Sequence, residues 1–379
     1  MVAPLIIHDS SYIQKSSKED DGKTLFKPKK KNKEEKMRRI MFLVLMLNVF
    51  FLSGESLSEL PIDKWPRDRR IDKQVKRLAK KIEFHCKLVK GDYGAFGWDI
   101  VGVKLLYKLG DLLEKYPEKV IPSLYDIAMD RGRDRLLRNF MWEGLIINAK
   151  EKACIRAAGE FINNKTEDEY LRANVAELLG KAKDTSATPY LIQVMEDKSN
   201  PERVRWCAAH AFVFIPDERA VKPLLKNLDE DPSMEVKKIS ISALGAIGRK
   251  TGNKDMVPKL MGIVEDKERN PLRYFAISAL GAMKEDRLVP LLTQSIKNKD
   301  KRDFDVVIWA LGNIGTPECK EALLQLLKDE DESIRFFAAK AIIKTGDKEA
   351  ISEVERSLER FSSGHREVIG KALKEAKKE

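Results

Sequence analysis

Cysteine and histidine are scarce in this chain, with four of each in 379 residues. Cys86, Cys154, Cys207 and Cys319 form no CxxC pair, and His8, His85, His210 and His365 open no HExxH or comparable ligand spacing. Metal sites legible from spacing are thereby excluded, and neither a metal nor another cofactor is expected. The adjacent pair His85-Cys86 could hold a metal or carry a thiol nucleophile, but a lone pair of this kind on a helix reads better as incidental. No GxSxG or GxxxxGK[ST] pattern occurs, and the glycine-rich stretch from Gly91 to Gly97 reads as a turn-rich joint. No catalytic residue can be named on this basis. The chain also lacks a basic stripe running its length. Of the formal net charge of +11, a large share is local: eleven basic and three acidic groups lie between Lys64 and Lys90. The remainder of the C-terminal region is close to neutral, which disfavours a nucleic-acid partner.

What the chain does have is a repeat. Leu272-Arg-Tyr-Phe-Ala-Ile-Ser-Ala-Leu-Gly281 recurs in versions beginning at Leu137, Leu171, Val204, Val236, Asp303, Ile334 and His365, with spacings of 31 to 36 residues. With the first residue numbered zero, apolar side chains fall at offsets 0, 3, 4, 7 and 8, which is one face of a 3.6-residue helix. Offset 7 is small in most copies (Gly144, Ala211, Ala243, Ala279, Ala310, Ala341, Ala372), a pattern that lets a neighbouring helix approach closely. Between these helices lies a second apolar run, often introduced by proline, as in Val120-Ile-Pro122, Thr188-Pro189, Val221-Lys-Pro223, Val257-Pro258 and Val289-Pro290. The unit is a pair of antiparallel helices joined by acidic turns. The fold expected is all-α: a right-handed α–α superhelix of about eight helix pairs.

On these residues the chain resembles the HEAT repeats, in particular the short variety named after phycobilisome-lyase subunits. The resemblance rests on the Asp-rich turn, the Val-Arg or Leu-Arg helix start, Ala-x-x-Ala-Leu-Gly and the proline-bearing first helix, and it covers residues 117–379. It implies an armadillo-like solenoid and leaves function open, since the group spans scaffolds, lyase subunits and other binding proteins. It also implies a ladder in which the basic offset 1 residues, Arg172, Arg205, Arg273, Arg335 and Arg366, pair with turn acids such as Asp197, Asp229, Asp266 and Asp331.

Three further segments precede the array. Residues 1–36 are Lys-rich and polar and read as a disordered leader, with Met37 as the suspected native start. Residues 37–56 have a basic start, an apolar core from Ile40 to Leu52 and small residues after it, the pattern of a secretory signal peptide. An exported, periplasmic or extracellular protein is therefore expected, with the cysteine pairing left open. Residues 57–116 carry Ile71, Val75, Leu78, Ile82 and Val89 as an apolar stripe, with Arg70, Lys73, Lys76, Arg77, Lys80 and Lys81 around it. This segment reads as an N-terminal cap, or alternatively as a peripheral membrane contact.

On the array, offsets 2 and 6 point away from the core stripe and are mostly polar. Trp206, His210, Tyr274, Trp309 and Phe336 depart from this and are expected to line a concave ligand face, although each could instead fill space between repeats. The function expected is a non-catalytic scaffold that grips a protein or peptide. The alternative is an enzyme subunit resembling phycobilin lyases, acting on a chromophore or protein substrate.

Overall fold

A computed structural model describes residues 61–89, 100–149, 151–266, 270–297 and 303–376. The leader, the signal-like segment, the Gly91–Gly97 joint and the His85-Cys86 side chains lie outside the described residues. Two compact units divide after Lys150, so the array start expected at residue 117 falls inside the first of them.

In the first unit, α1 (Arg69–Val89), α2 (Ile100–Lys115), α3 (Pro117–Met129) and α4 (Arg135–Glu143) pack on one another, with α4 continuing as a wide-turn segment from Gly144 to Ala149. Val75, Ala79 and Ile82 of α1 are buried, and α1 lies against α2, α3 and α4. Pro117 occupies the first turn of α3, one turn earlier than the sequence suggested, and Pro122 sits inside the helix. Asp134 caps α4 by accepting from the Leu136 N–H.

The second unit contains α5 (Lys152–Asn163), α6 (Glu169–Ala182), α7 (Thr188–Glu196), α8 (Glu202–Phe214), α9 (Val221–Glu230), α10 (Met234–Thr251) and α11 (Val257–Glu265). It continues with α12 (Arg273–Ala282), α13 (Val289–Lys297), α14 (Phe304–Ile314), α15 (Pro317–Leu326), α16 (Glu332–Thr345), α17 (Lys348–Arg356) and α18 (Ser363–Ala376). The even-numbered helices α6 to α18 carry the ten-residue template and pack in order, each on the next, with the odd-numbered helices laid against them. The result is an α–α solenoid with no strand among the described residues.

Small residues set the spacing between template helices. A Cβ added to Gly180 would lie 2.7 Å from the Ala211 Cα, and one added to Gly281 would lie 2.7 Å from the Ala310 Cβ. Gly245 meets Ala279 and Gly312 meets Ala341 in the same way. The glycine at offset 9 of one repeat thus receives the alanine at offset 7 of the next, which explains why both slots must be small.

The arginines at offset 1 hold the turn edge, with partners that differ from those implied by the resemblance. Arg205 makes a bidentate pair with Asp231, at 2.9 and 3.0 Å, rather than with Asp229. Both members are buried in this pair. Burial works against the Asp231 charge, but the hydrogen bonds from Arg205, the Ser233 N–H and Lys198 hold its pKa below the ordinary carboxylate value. Arg172 donates to the Ile162 carbonyl at 2.8 Å and to the Asn200 side chain. Arg273 reaches Asp303 at 2.8 Å, not Asp266. Arg335 donates to the Asp329, Glu330 and Arg360 carbonyls, and Arg366 to the Glu359 and Phe361 carbonyls. Asp197 and Asp229 take Lys165 and Lys259, Asp266 accepts from Asn270, and Asp331 caps α16. The physical reason is geometric: the guanidinium closes open carbonyls at the end of the preceding helix and reaches forward to the next turn.

Candidate functional site

The first turns of α6, α8 and α10 converge on an open groove of about 650 Å³. Glu169, Tyr170, Asn174 and Glu177 come from α6; Glu202, Arg203, Trp206 and Cys207 come from α8. Glu235 closes the groove from α10. Three of the four carboxylates stand in the first turn of a helix, where the N-terminal end of the backbone dipole favours negative charge. The fold therefore tolerates an acidic groove at little cost.

The charges are unevenly satisfied. Glu177 pairs with Lys181 and Glu235 with Lys238, each at 2.7 Å along its own helix, and such exposed pairs are weak. Glu169 and Glu202 have no ion-pair partner among the described residues. The Arg203 guanidinium sits over the Tyr170 ring, 4.9 Å from its centroid. Tyr170 is nonetheless 44% exposed, one of the few large apolar side chains left open. The groove thus presents four carboxylates against one guanidinium, Arg203, which already engages the Tyr170 ring, and this net negative charge suits an ammonium group.

His210 lies one turn beyond Trp206 on α8. Its ring lies 4.8 Å from that of Trp206 and 5.1 Å from that of Phe214. Burial lowers its pKa below 6.5, Glu177 opposes the shift and Lys181 adds to it. Its Nδ1 is buried without a hydrogen-bond partner. Burial thus favours the neutral imidazole over the imidazolium. Cys207 differs: burial, with Glu177 adding to it, pushes its thiol up to about 11, so it is no thiolate at neutral pH.

Of the five outward residues expected on one ligand face, only Trp206 lines this groove, with His210 stacked on it. The other three close onto neighbouring repeats. The Tyr274 hydroxyl donates to Asp305 at 3.3 Å. Trp309 lies beside Gly281, with Lys344 over its ring at 5.6 Å. Phe336 stacks on His365 at 4.3 Å. Sequence reasoning missed Glu169, Tyr170, Glu202 and Arg203 because they precede the template by one or two residues. A signal was available: Tyr170 is the only aromatic residue directly before any copy of the template.

The HEAT-repeat family model matches residues 160–245, 221–304 and 305–374, together more than half of the chain. The chain belongs to the HEAT-repeat family. Among curated relatives, the deoxyhypusine hydroxylase of Candida albicans is 27% identical over 243 residues, covering 56% of this chain and 76% of that enzyme. The deoxyhypusine hydroxylase of Saccharomyces cerevisiae is 26% identical over 209 residues, 48% of this chain and 63% of the enzyme. Solved structures similar to the chain include the complex of CpcE and CpcF of phycocyanin lyase from Nostoc, at 20% identity and a TM-score of 0.40, covering 59% of this chain and 94% of the other. Human deoxyhypusine hydroxylase matches at 18% identity and a TM-score of 0.32, covering 72% and 100%.

These relatives correct two expectations. The reading as a non-catalytic scaffold is overturned, because the similar curated proteins are named as enzymes built from the same repeats. The expected export is overturned as well: the relatives are deoxyhypusine hydroxylases of fungi, rice and a fly, and none is named as a secreted protein. No helix among the described residues is long and apolar enough to cross a membrane.

Hydroxylating an unactivated carbon calls for a cofactor that activates oxygen. Among the described residues, no three His, Cys, Asp or Glu side chains group so as to hold a metal ion. His210 is packed between aromatic rings, and Cys154, Cys207 and Cys319 are separately buried. Among the described residues the donor set does not fit a resident metal, and no step is assigned to one.

Proposed function

We propose that the chain is an enzyme or enzyme subunit of the HEAT-repeat class that acts on a basic side chain of a protein substrate. The acidic and aromatic groove of α6, α8 and α10 carries this reading, because its two unpaired carboxylates face the same space as Tyr170 and Trp206. The relatives' name supports it: deoxyhypusine is a lysine extended by an arm that ends in a second amine. In the proposed complex, Glu169 and Glu202 hold the ammonium, and the Trp206 ring lies along its methylenes.

The test compares the proteins of cells that carry the gene with those of cells that lack it, by mass spectrometry of lysine-containing peptides. A mass change confined to one or a few lysines, restored by the wild-type gene but not by Glu169→Gln/Glu202→Gln, is the expected result. Proteomes with no difference at lysine would overturn the proposal.

A further inference from the structure

The apolar stripe of α1 is consumed by packing inside its unit, which leaves the opposite side of the helix to be explained. At about 100° per residue, Arg70, Lys73, Arg77, Lys80 and Lys81 fall within one arc of roughly 100°, opposite the buried Val75, Ala79 and Ile82. All five are exposed. None has a carboxylate partner among the described residues, whereas the nearby acids are taken: Asp72 by Lys76 and the Ser123 hydroxyl, Glu83 by Arg133, and Asp126 by Arg67. Phe84 closes the same arc and is 61% exposed. From Arg70 to Phe84 the row runs about 21 Å along one straight helix.

We propose that this face docks on an anionic phospholipid surface. A single straight row of cations ending in an exposed aromatic ring suits a plane of anionic headgroups, with the ring at headgroup depth. The sequence adds a second argument. The apolar run Ile40–Leu52, preceded by Arg38 and Arg39, is separated from Arg69 by sixteen residues, so any membrane contact by that run brings α1 to the same surface. Nucleic acid is the other polyanion such a row could meet. The near-neutral remainder of the chain gives it no continuation, and no second aromatic residue stands in the arc to stack a base. Because the apolar side of α1 is already buried, docking rests on charge and is sensitive to salt, unlike the insertion of an amphipathic helix.

The experiment is flotation of the full-length protein with vesicles of phosphatidylcholine alone, or of phosphatidylcholine containing phosphatidylserine, at low and at high salt. The comparison is with the full-length variant R70Q/K73Q/R77Q/K80Q/K81Q, which retains the apolar run. The expected result is binding to the serine-lipid vesicles that high salt reverses, weakened in the variant by roughly tenfold or more. Far-UV circular dichroism and melting should be unchanged, since the five side chains are exposed. Equal binding of the two proteins, or indifference to lipid charge, would overturn the proposal. So would a short RNA or DNA duplex that binds the wild type more tightly than the anionic vesicles do.

Discussion

The turn edge of the solenoid and the outward face of its template helices come from the same ten-residue pattern, yet they treat polar groups in opposite ways. At the turn edge every offset 1 arginine is spent: Arg205 on Asp231, Arg273 on Asp303, Arg138 and Arg335 on carbonyls, Arg172 on a carbonyl and Asn200, and Arg366 on carbonyls and Glu359. Around the groove Glu169 and Glu202 are left without ion pairs, and Tyr170 is open to solvent. Polar groups that close on their own fold stabilise it, whereas groups left open beside aromatic surface are available to a ligand. The difference separates what the repeat needs from what this chain adds to it.

The largest expected effect breaks the turn edge. Arg205→Ala leaves the buried Asp231 carboxylate with only Lys198 and the Ser233 N–H and should cost about 3 kcal/mol, read as a lower urea midpoint. The pH dependence follows from the depressed Asp231 pKa. The pair's stabilisation is present above the ordinary value of 3.8 and is lost as pH falls through the lower folded-state value, so wild type and Asp231→Asn should converge only in strong acid.

Next comes the helix spacing. Gly281→Val forces side-chain atoms into Ala310 and should cost about 1–3 kcal/mol. Gly110→Ala, in α2 with nothing within 4 Å of the added Cβ, should instead stabilise by about 0.5–1 kcal/mol. Thermal melts of both variants check the contrast.

The groove should behave in the opposite manner. Glu169→Gln/Glu202→Gln changes exposed side chains without ion pairs and should move stability by no more than about 0.5 kcal/mol. Trp309→Ala removes a ring packed beside Gly281 and should cost more stability than the groove double variant does. A loss of several kcal/mol in that double variant would return those carboxylates to the structural class.

The smallest effect is a titration. By NMR, His210 should show a midpoint below 6.5, because burial disfavours the imidazolium. The sign follows for folding: as pH drops below 6.5 the unfolded chain takes up the proton first, so His210 subtracts stability on the acid side. A midpoint above 6.5 would mean that Glu177 outweighs burial.

The fold was legible because periodicity is a property of the chain itself. The small offset 7 and the glycine after Leu at offset 8 announced the close approach that Gly281 and Ala310 make. Partners were not legible. Arg205 lies within reach of several acids in sequence, and only the path of the turn selects Asp231 over Asp229. The same limit applied to the outward face. Tyr274, Trp309 and Phe336 share a phase with Trp206, but the next repeat meets them with Asp305, Lys344 and His365. Phase tells which way a side chain points, and it cannot tell what the following helix places there. Function was the least legible, since an identical repeat serves enzymes and scaffolds alike.

The most direct test of the account is a titration of the full-length protein with a lysine-containing peptide and its Nε-acetyl counterpart, followed by the indole fluorescence of Trp206 against a Trp206→Phe control. The account predicts that the free amine binds at least tenfold more tightly than the acetylated peptide, and that Glu169→Gln/Glu202→Gln abolishes the preference without changing the melting temperature. Equal binding of the two peptides to the wild type would contradict it.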